Sequence, residues 1–214
     1  MIHFMEEYKH LLPTNCPPPH IVRIIPDFIL KHSTFRFMDM HMHQTLGTSI
    51  GTRMALSYAN LFMGKEERTI ILTFLHLIYF WKRFIDDIFF IFQGSHCQLK
   101  SLMTFMNTIS PTIKYTFTYS KQTVTSLDVQ IYLSENRKLK TKLFRTPTDC
   151  MTLLHFHSHH PLSYKEGIIY SQTLRYNMII SEDHILQKEF NNLTRVLHAR
   201  AYPLHLIIKN IKKP

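Results

Sequence analysis

Asp86 and Asp87 stand side by side between two runs of large apolar residues, Phe84-Ile85-Asp86-Asp87-Ile88-Phe89-Phe90-Ile91-Phe92. Such runs read as buried strands, and two of them around a short break read as a tight hairpin. An unpaired carboxylate is costly to bury and two adjacent ones more so, so a cation is expected at this turn, a divalent metal being the strongest candidate. Aspartate is also a good turn residue, and a plain water-exposed hairpin fits these residues equally well. A second cluster with possible chemistry is His155, His157 and His159, which alternate and would share one face of a strand. Zinc would need a further ligand, and Cys150, the nearest cysteine, stands at an irregular spacing.

The elements that position these residues follow from periodicity and punctuation. A short helix is expected over residues 3–12, ended by Pro13 and by Cys16-Pro17-Pro18-Pro19. His20 to His32 has helical apolar spacing interrupted at Pro26, Phe35 to Asp39 alternates like a strand, and Met54 to Met63 is helical. The apolar run Ile70 to Trp81 reads as a core strand or helix. Ser95 should cap a helix that buries Leu99, Leu102, Met103 and Met106. Strands are expected at Lys114–Tyr119, Ser126–Leu133 and Leu139–Phe144, the last two joined by a turn at Ser134-Glu135-Asn136-Arg137. From Pro161 the pattern is helical, with Ser181 as an N-cap for a helix to about His198 and Pro203 opening a last helix.

Bulk properties narrow the partner class. The formal charge of +10 points to an anionic partner, nucleic acid or an acidic membrane surface. The surplus sits late in the chain, where residues 121–214 hold 14 Lys and Arg against 7 Asp and Glu. The three cysteines are scattered and form neither a zinc spacing nor a disulfide framework. The N-terminus has no signal-peptide pattern, and the run Ile70 to Trp81 is shorter than the roughly 20 residues that cross a bilayer. A soluble, intracellular protein without a membrane segment is expected, the nucleus being a possible compartment.

Paired carboxylates on a hairpin beside a meander sheet suit a nucleic-acid polymerase, in which two divalent ions about 3.5–4 Å apart serve the attacking and leaving oxygens. The stretch Arg83 to Ile91 resembles the catalytic hairpin of reverse transcriptases, with Phe84 where tyrosine is commonest. Gln44 to Ala55 and Tyr58 to Gly64 resemble the adjoining motif. Ser126-Leu127-Asp128-Val129, Pro147-Thr148-Asp149 and His155 to Pro161 continue the series in the order of Penelope-like retroelement reverse transcriptases. Leu154 to Lys212 looks like the helix-turn-helix domain that follows the palm in animal members. The resemblance spans roughly residues 19–212.

The resemblance implies an α+β fold. Residues 1–150 would be a partial reverse-transcriptase palm, an antiparallel sheet with helices, and residues 151–214 an all-α helix-turn-helix or thumb-like module. It implies Asp86 and Asp87 as catalytic ligands of two Mg2+ ions, with Phe84, Gln44, Gly47 and Gly51 near nucleotide and template. Asp128 reads instead as a structural residue. RNA template and DNA primer would be the partners. The third carboxylate and the basic fingers lie, in that family, upstream of the segment matched by Cys16 to Pro19, and nothing in residues 1–16 resembles them. Asp27 and Asp39 are the remaining candidates for that carboxylate. A unit-charge pair at 4 Å is worth roughly 4 kcal/mol at an effective dielectric of 20. Each 1.36 kcal/mol or so of lost transition-state stabilisation costs about tenfold in rate. The expectation is therefore a reverse-transcriptase fragment inactive alone.

The alternative is a non-catalytic nucleic-acid-binding helix-turn-helix protein, with Lys165, Arg175, Lys188, Arg195, Arg200 and Lys209 as phosphate contacts. Three departures from the family pattern bear on both readings. Leu56 replaces a usual proline, Ala201 a usual glycine, and Tyr176-Asn177 a usually more basic stretch.

Overall fold

The computed structural model describes His10, Pro13, Thr14, residues 16–49 and residues 51–212. The helix expected over residues 3–12 lies outside them. Two compact units divide the chain, Met1–Tyr115 and Thr116–Pro214. Among the described residues the architecture is mixed α+β, with six helices and three small antiparallel sheets.

In the first unit, α1 (Pro19–Lys31) opens with proline at its first position and runs on through Pro26, where the spacing predicted an interruption. The ribbon of β1 (Thr34–Phe37) and β2 (Met40–His43) turns at Met38-Asp39, which puts Asp39 in the turn and not on the strand. Helix α2 (Ala55–Thr73) extends well past Met63 and ends at the Phe74 cap, so the run from Ile70 is shared between a helix end and β3 (Ile78–Phe84). β3 pairs antiparallel with β4 (Asp87–Phe92), and α3 (His96–Ile109) follows. Ser95 caps α3 as expected, in a reciprocal capping box with Gln98. The core joins Ile70, Ile78, Leu99, Leu102, Met103 and Met106, flanked by Trp81, Ile88, Phe90 and Phe92 from the inner face of the ribbon.

No strand forms over Lys114–Tyr119. The Asn107 side chain takes that role at Tyr115, accepting its N–H at 2.7 Å and donating to its carbonyl at 3.1 Å, so the backbone is satisfied without a ladder.

In the second unit the expected strand Ser126–Leu133 is folded in two. β5 (Thr123–Ser126) and β6 (Val129–Leu133) turn about Leu127-Asp128, with Leu127 at φ +53°. β7 (Leu139–Leu143) completes the meander through the predicted turn at Ser134 to Arg137. Helices α4 (Leu162–Ile179), α5 (Asp183–Ala199) and α6 (Leu204–Ile211) close over Ile169, Tyr176, Leu193, Leu197, Tyr202 and Ile207.

Ser181 does not cap α5, because Glu182 occupies the cap position. Ser181 instead covers the free edge of β7: its N–H donates to the Thr141 carbonyl at 3.0 Å and its Oγ accepts the Thr141 N–H at 2.9 Å. α5 ends in a Schellman turn, in which Tyr202 N–H reaches the Leu197 carbonyl (3.1 Å) and Ala201 N–H the His198 carbonyl (3.0 Å).

Candidate functional sites

The β3–β4 register places the two-residue turn at Ile85-Asp86, with Phe84 opposite Asp87. The break thus lies one residue earlier than an Asp86-Asp87 turn, and Asp87 begins β4. Both carboxylates are exposed. Ile85 sits at φ +56°, a left-handed conformation in which a β-branched residue is strained and glycine or asparagine is usual.

The strained turn is held from below by Arg83. Its Nη1 donates to the Ile85 carbonyl and to Asn60 Oδ1 on α2, both at 2.8 Å. Its Nε lies 2.9 Å from Glu67 Oε1, with side-chain exposures of 12% and 14% marking a largely buried ion pair. Glu67 Oε1 also accepts the Trp81 indole N–H at 2.8 Å. Burial, and then Glu66 and Glu67, push the Tyr115 hydroxyl above its ordinary range. Arg83, Asn60 and Glu67 fix the turn to α2, and residue types alone gave no sign of this, since the partners of Arg83 are 16 and 23 positions away in sequence.

The other residues expected near nucleotide, template or metal have these local surroundings. Phe84 is 60% exposed beside the turn. Gln44 Nε2 donates to the Leu46 carbonyl at 2.8 Å, Gly47 takes φ +75°, which glycine alone adopts without strain, and a Cβ on Gly51 would meet nothing within 4 Å. Asp27 pairs with Lys31 at 2.8 Å within α1, and Asp39, in the β1–β2 turn, pairs with Arg36 of β1 at 3.1 Å. Among the described residues no three His, Cys, Asp or Glu side chains converge to hold a metal ion. Two adjacent carboxylates are fewer than a two-ion centre requires, and among the described residues no further carboxylate joins Asp86 and Asp87 to complete such a set.

Residues 155–160 form turns and bends, not the alternating strand on which the three histidines would share a face. The His155 and His157 rings lie 5.5 Å apart, and His155 Nδ1 accepts the His157 N–H at 3.2 Å.

In the second unit the six candidate phosphate-binding cations separate by environment. Lys165 is buried, its ammonium donating to the Ser158 carbonyl at 2.8 Å and lying over the Phe156 ring. Arg175 makes a two-point contact with Asp128, its Nε at 2.8 Å from Oδ2, which gives Asp128 the structural role expected for it. Lys165 is thus enclosed within the unit, which departs from its expectation as a surface cation, whereas the Arg175 side chain is 42% exposed beside Asp128. Arg200 caps α5, and its carbonyl accepts the Phe156 N–H at 2.9 Å. Lys209 stands 3.8 Å from Glu166. Lys188 and Arg195 are exposed on α5.

A polar network that residue patterns did not disclose ties the sheet to the helices. Glu182 accepts from Lys140 and from the Tyr132 hydroxyl, and Arg145 pairs with Glu189 at 2.7 Å while donating to the Tyr176 hydroxyl at 2.9 Å. Lys140, and then Tyr132, hold the Glu182 carboxyl below its ordinary range. Burial, and then Glu182, push the Tyr132 phenol up to about 12.

Among the described residues no helix is long and apolar enough to cross a membrane. No curated protein and no solved structure matches the chain. One family does: residues 152–212, which hold α4, α5, α6 and the loop leading into them, match the animal helix-turn-helix domain.

Proposed function

We propose that this chain is a nucleic-acid-binding protein whose binding module is the helical stretch 152–212. The observation that carries the reading is the match of that stretch to the animal helix-turn-helix domain. The basic surplus of residues 121–214 supports it, because helix-turn-helix modules hold their register through phosphate contacts. The test is binding of the full chain to a labelled duplex across a salt series. Affinity should fall linearly on a log–log plot with a slope set by the number of phosphates neutralised. Binding no tighter than that of an unrelated basic protein of equal charge would overturn the proposal.

A second reading, favoured by the Arg83 clamp on the Ile85-Asp86 turn, is descent from a Penelope-like reverse transcriptase. In it residues 1–150 are part of a palm and residues 151–214 the module behind it. The chain by itself is then inactive, since Asp27 and Asp39 are engaged locally. Primer extension on an RNA template that disappears in Asp86→Ala would refute this inactivity.

A further inference from the structure

We infer that the solvent face of α5 is the surface that meets the phosphate backbone of a nucleic-acid duplex, anchored by Lys188 and Arg195; this rests on the nucleic-acid reading above. One side of α5 buries Leu193 and Leu197 completely, with Ile185, Leu186 and Phe190 packed beside them. At 3.6 residues per turn the opposite side carries His184, Gln187, Lys188, Asn191, Arg195 and His198, all exposed.

This stripe holds no carboxylate. Glu189 turns away to Arg145, Glu182 is taken by Lys140 and Tyr132, and Asp183 lies in the first turn, where the helix dipole favours it. Lys188 has no ion-pair partner among the described residues. Arg195 donates to the neutral Asn192 Oδ1 at 2.9 Å and keeps its charge. On the same face Gln187 Nε2 donates to Asn191 Oδ1 at 3.2 Å, which sets two amides side by side next to the cations.

Lys188 and Arg195 are two turns apart, about 10 Å along the axis. That is close to the roughly 12 Å width of a DNA major groove. Cations flanking amides suit a helix that is positioned by phosphates and presents hydrogen-bonding groups to base edges.

The rival surface is α6, which follows the Schellman turn and so stands where the second helix of a helix-turn-helix pair would be. Its outer face offers Leu204 and Ile208, each 49% exposed, and Lys209 beside Glu166. Placing that face on a phosphate backbone desolvates apolar groups with little to answer the charge.

The test uses the full chain, with fluorescence anisotropy on a DNA duplex, an RNA–DNA hybrid and a single strand as separate arms. Lys188→Gln and Arg195→Gln should each lower the salt slope by about 0.9 and weaken duplex binding roughly tenfold at 0.1 M salt. Lys138→Gln, in the exposed β6–β7 turn, is the control for net charge and should change the slope far less. An equal loss in Lys138→Gln, or binding to the single strand alone, overturns the inference. Loss confined to Lys209→Gln moves the surface to α6 and overturns it too, while the nucleic-acid reading stands. A wild-type chain that binds none of the three arms overturns both.

Discussion

In the first unit α1, β1 and β2 contribute no buried residue, whereas in the second unit α4, α5 and α6 all bury side chains in one cluster. The first unit leaves Ile24, Phe28, Phe35, Phe37, Met40 and Phe84 more than half exposed, and both of its sheets are two-stranded ribbons. Two strands are marginal unless packed, and the β3–β4 ribbon has α2 and α3 behind one face only. The second unit covers the edge of β7 with Ser181 and joins sheet to helices by ion pairs. The contrast teaches that satisfying polar groups across elements, more than apolar content, separates the unit that closes from the one that does not. The family match falls on the closed one.

The largest effect that could break this comparison concerns a place where, among the described residues, the first unit does have such a network. Arg83→Ala removes the partner of a Glu67 carboxylate that is 14% exposed and frees the Ile85 carbonyl. Stranding a buried charge in this way costs about 3 kcal/mol or more. Trp81, the single tryptophan, bonds to the same Glu67 and reports the loss directly. Urea unfolding followed by Trp81 fluorescence should show a much lower midpoint, while hydrogen exchange in peptides from α5 stays unchanged. A Trp81 midpoint that does not move would mean the turn is not held by Arg83.

An intermediate effect, of pH, belongs to the second unit. Glu182 has its folded pKa below the unfolded one, so the unfolded chain takes up the proton first. Its stabilisation is present above the ordinary carboxylate range and is lost as pH falls through and below it. Tyr132 is shifted the other way, up to about 12 from 10.0, so its contribution is complete below pH 10 and disappears between pH 10 and 12. Protection of α5 amides, taken as exchange relative to the unstructured-peptide rate at each pH, should therefore fall along both arms, and Glu182→Gln should flatten the acid arm and reduce the alkaline one. Equal pH profiles for wild type and variant would remove Glu182 from the network.

How much of this was legible in the residues depends on how local the determinant is. The capping box of α3 and its four buried positions are written within about three turns of chain, and they stand as expected. The β3–β4 hairpin was legible as a hairpin but not in its turn, because Ile85 has none of the chemistry that marks a left-handed position. Leu127 hid the β5–β6 turn for the same reason. The run from Ile70 to Trp81 is apolar apart from Thr73 and His76, too few polar residues for periodicity to divide it. Among the candidate site residues, the pairing of Arg175 with Asp128 was not legible, because the two lie 47 positions apart. Lys188 and Arg195 were readable as surface cations because helix periodicity alone sets the face they share.

The smallest effect sets the two units' strained turns against each other. Ala201 lies at φ +64° at the position of the α5 Schellman turn where glycine is favoured. The left-handed conformation costs an alanine more than glycine loses in unfolded-chain freedom, so Ala201→Gly should stabilise the second unit by about 1 kcal/mol. For a unit of this size that is a rise of roughly 4–8 °C in Tm. Ile85→Gly relieves the same kind of strain in the first unit, and Ile85 is already 46% exposed, so it forfeits little burial. The two substitutions should therefore both stabilise, each in its own unit, by calorimetry and by Trp81 fluorescence respectively. They part company over Asp86 and Asp87. If the strain at Ile85 serves to hold the carboxylates in place, Ile85→Gly should loosen them. The Asp86 and Asp87 amides would then lose order in NMR relaxation while the fold gains stability. Gain of stability with unchanged order would make the left-handed isoleucine an incidental turn residue.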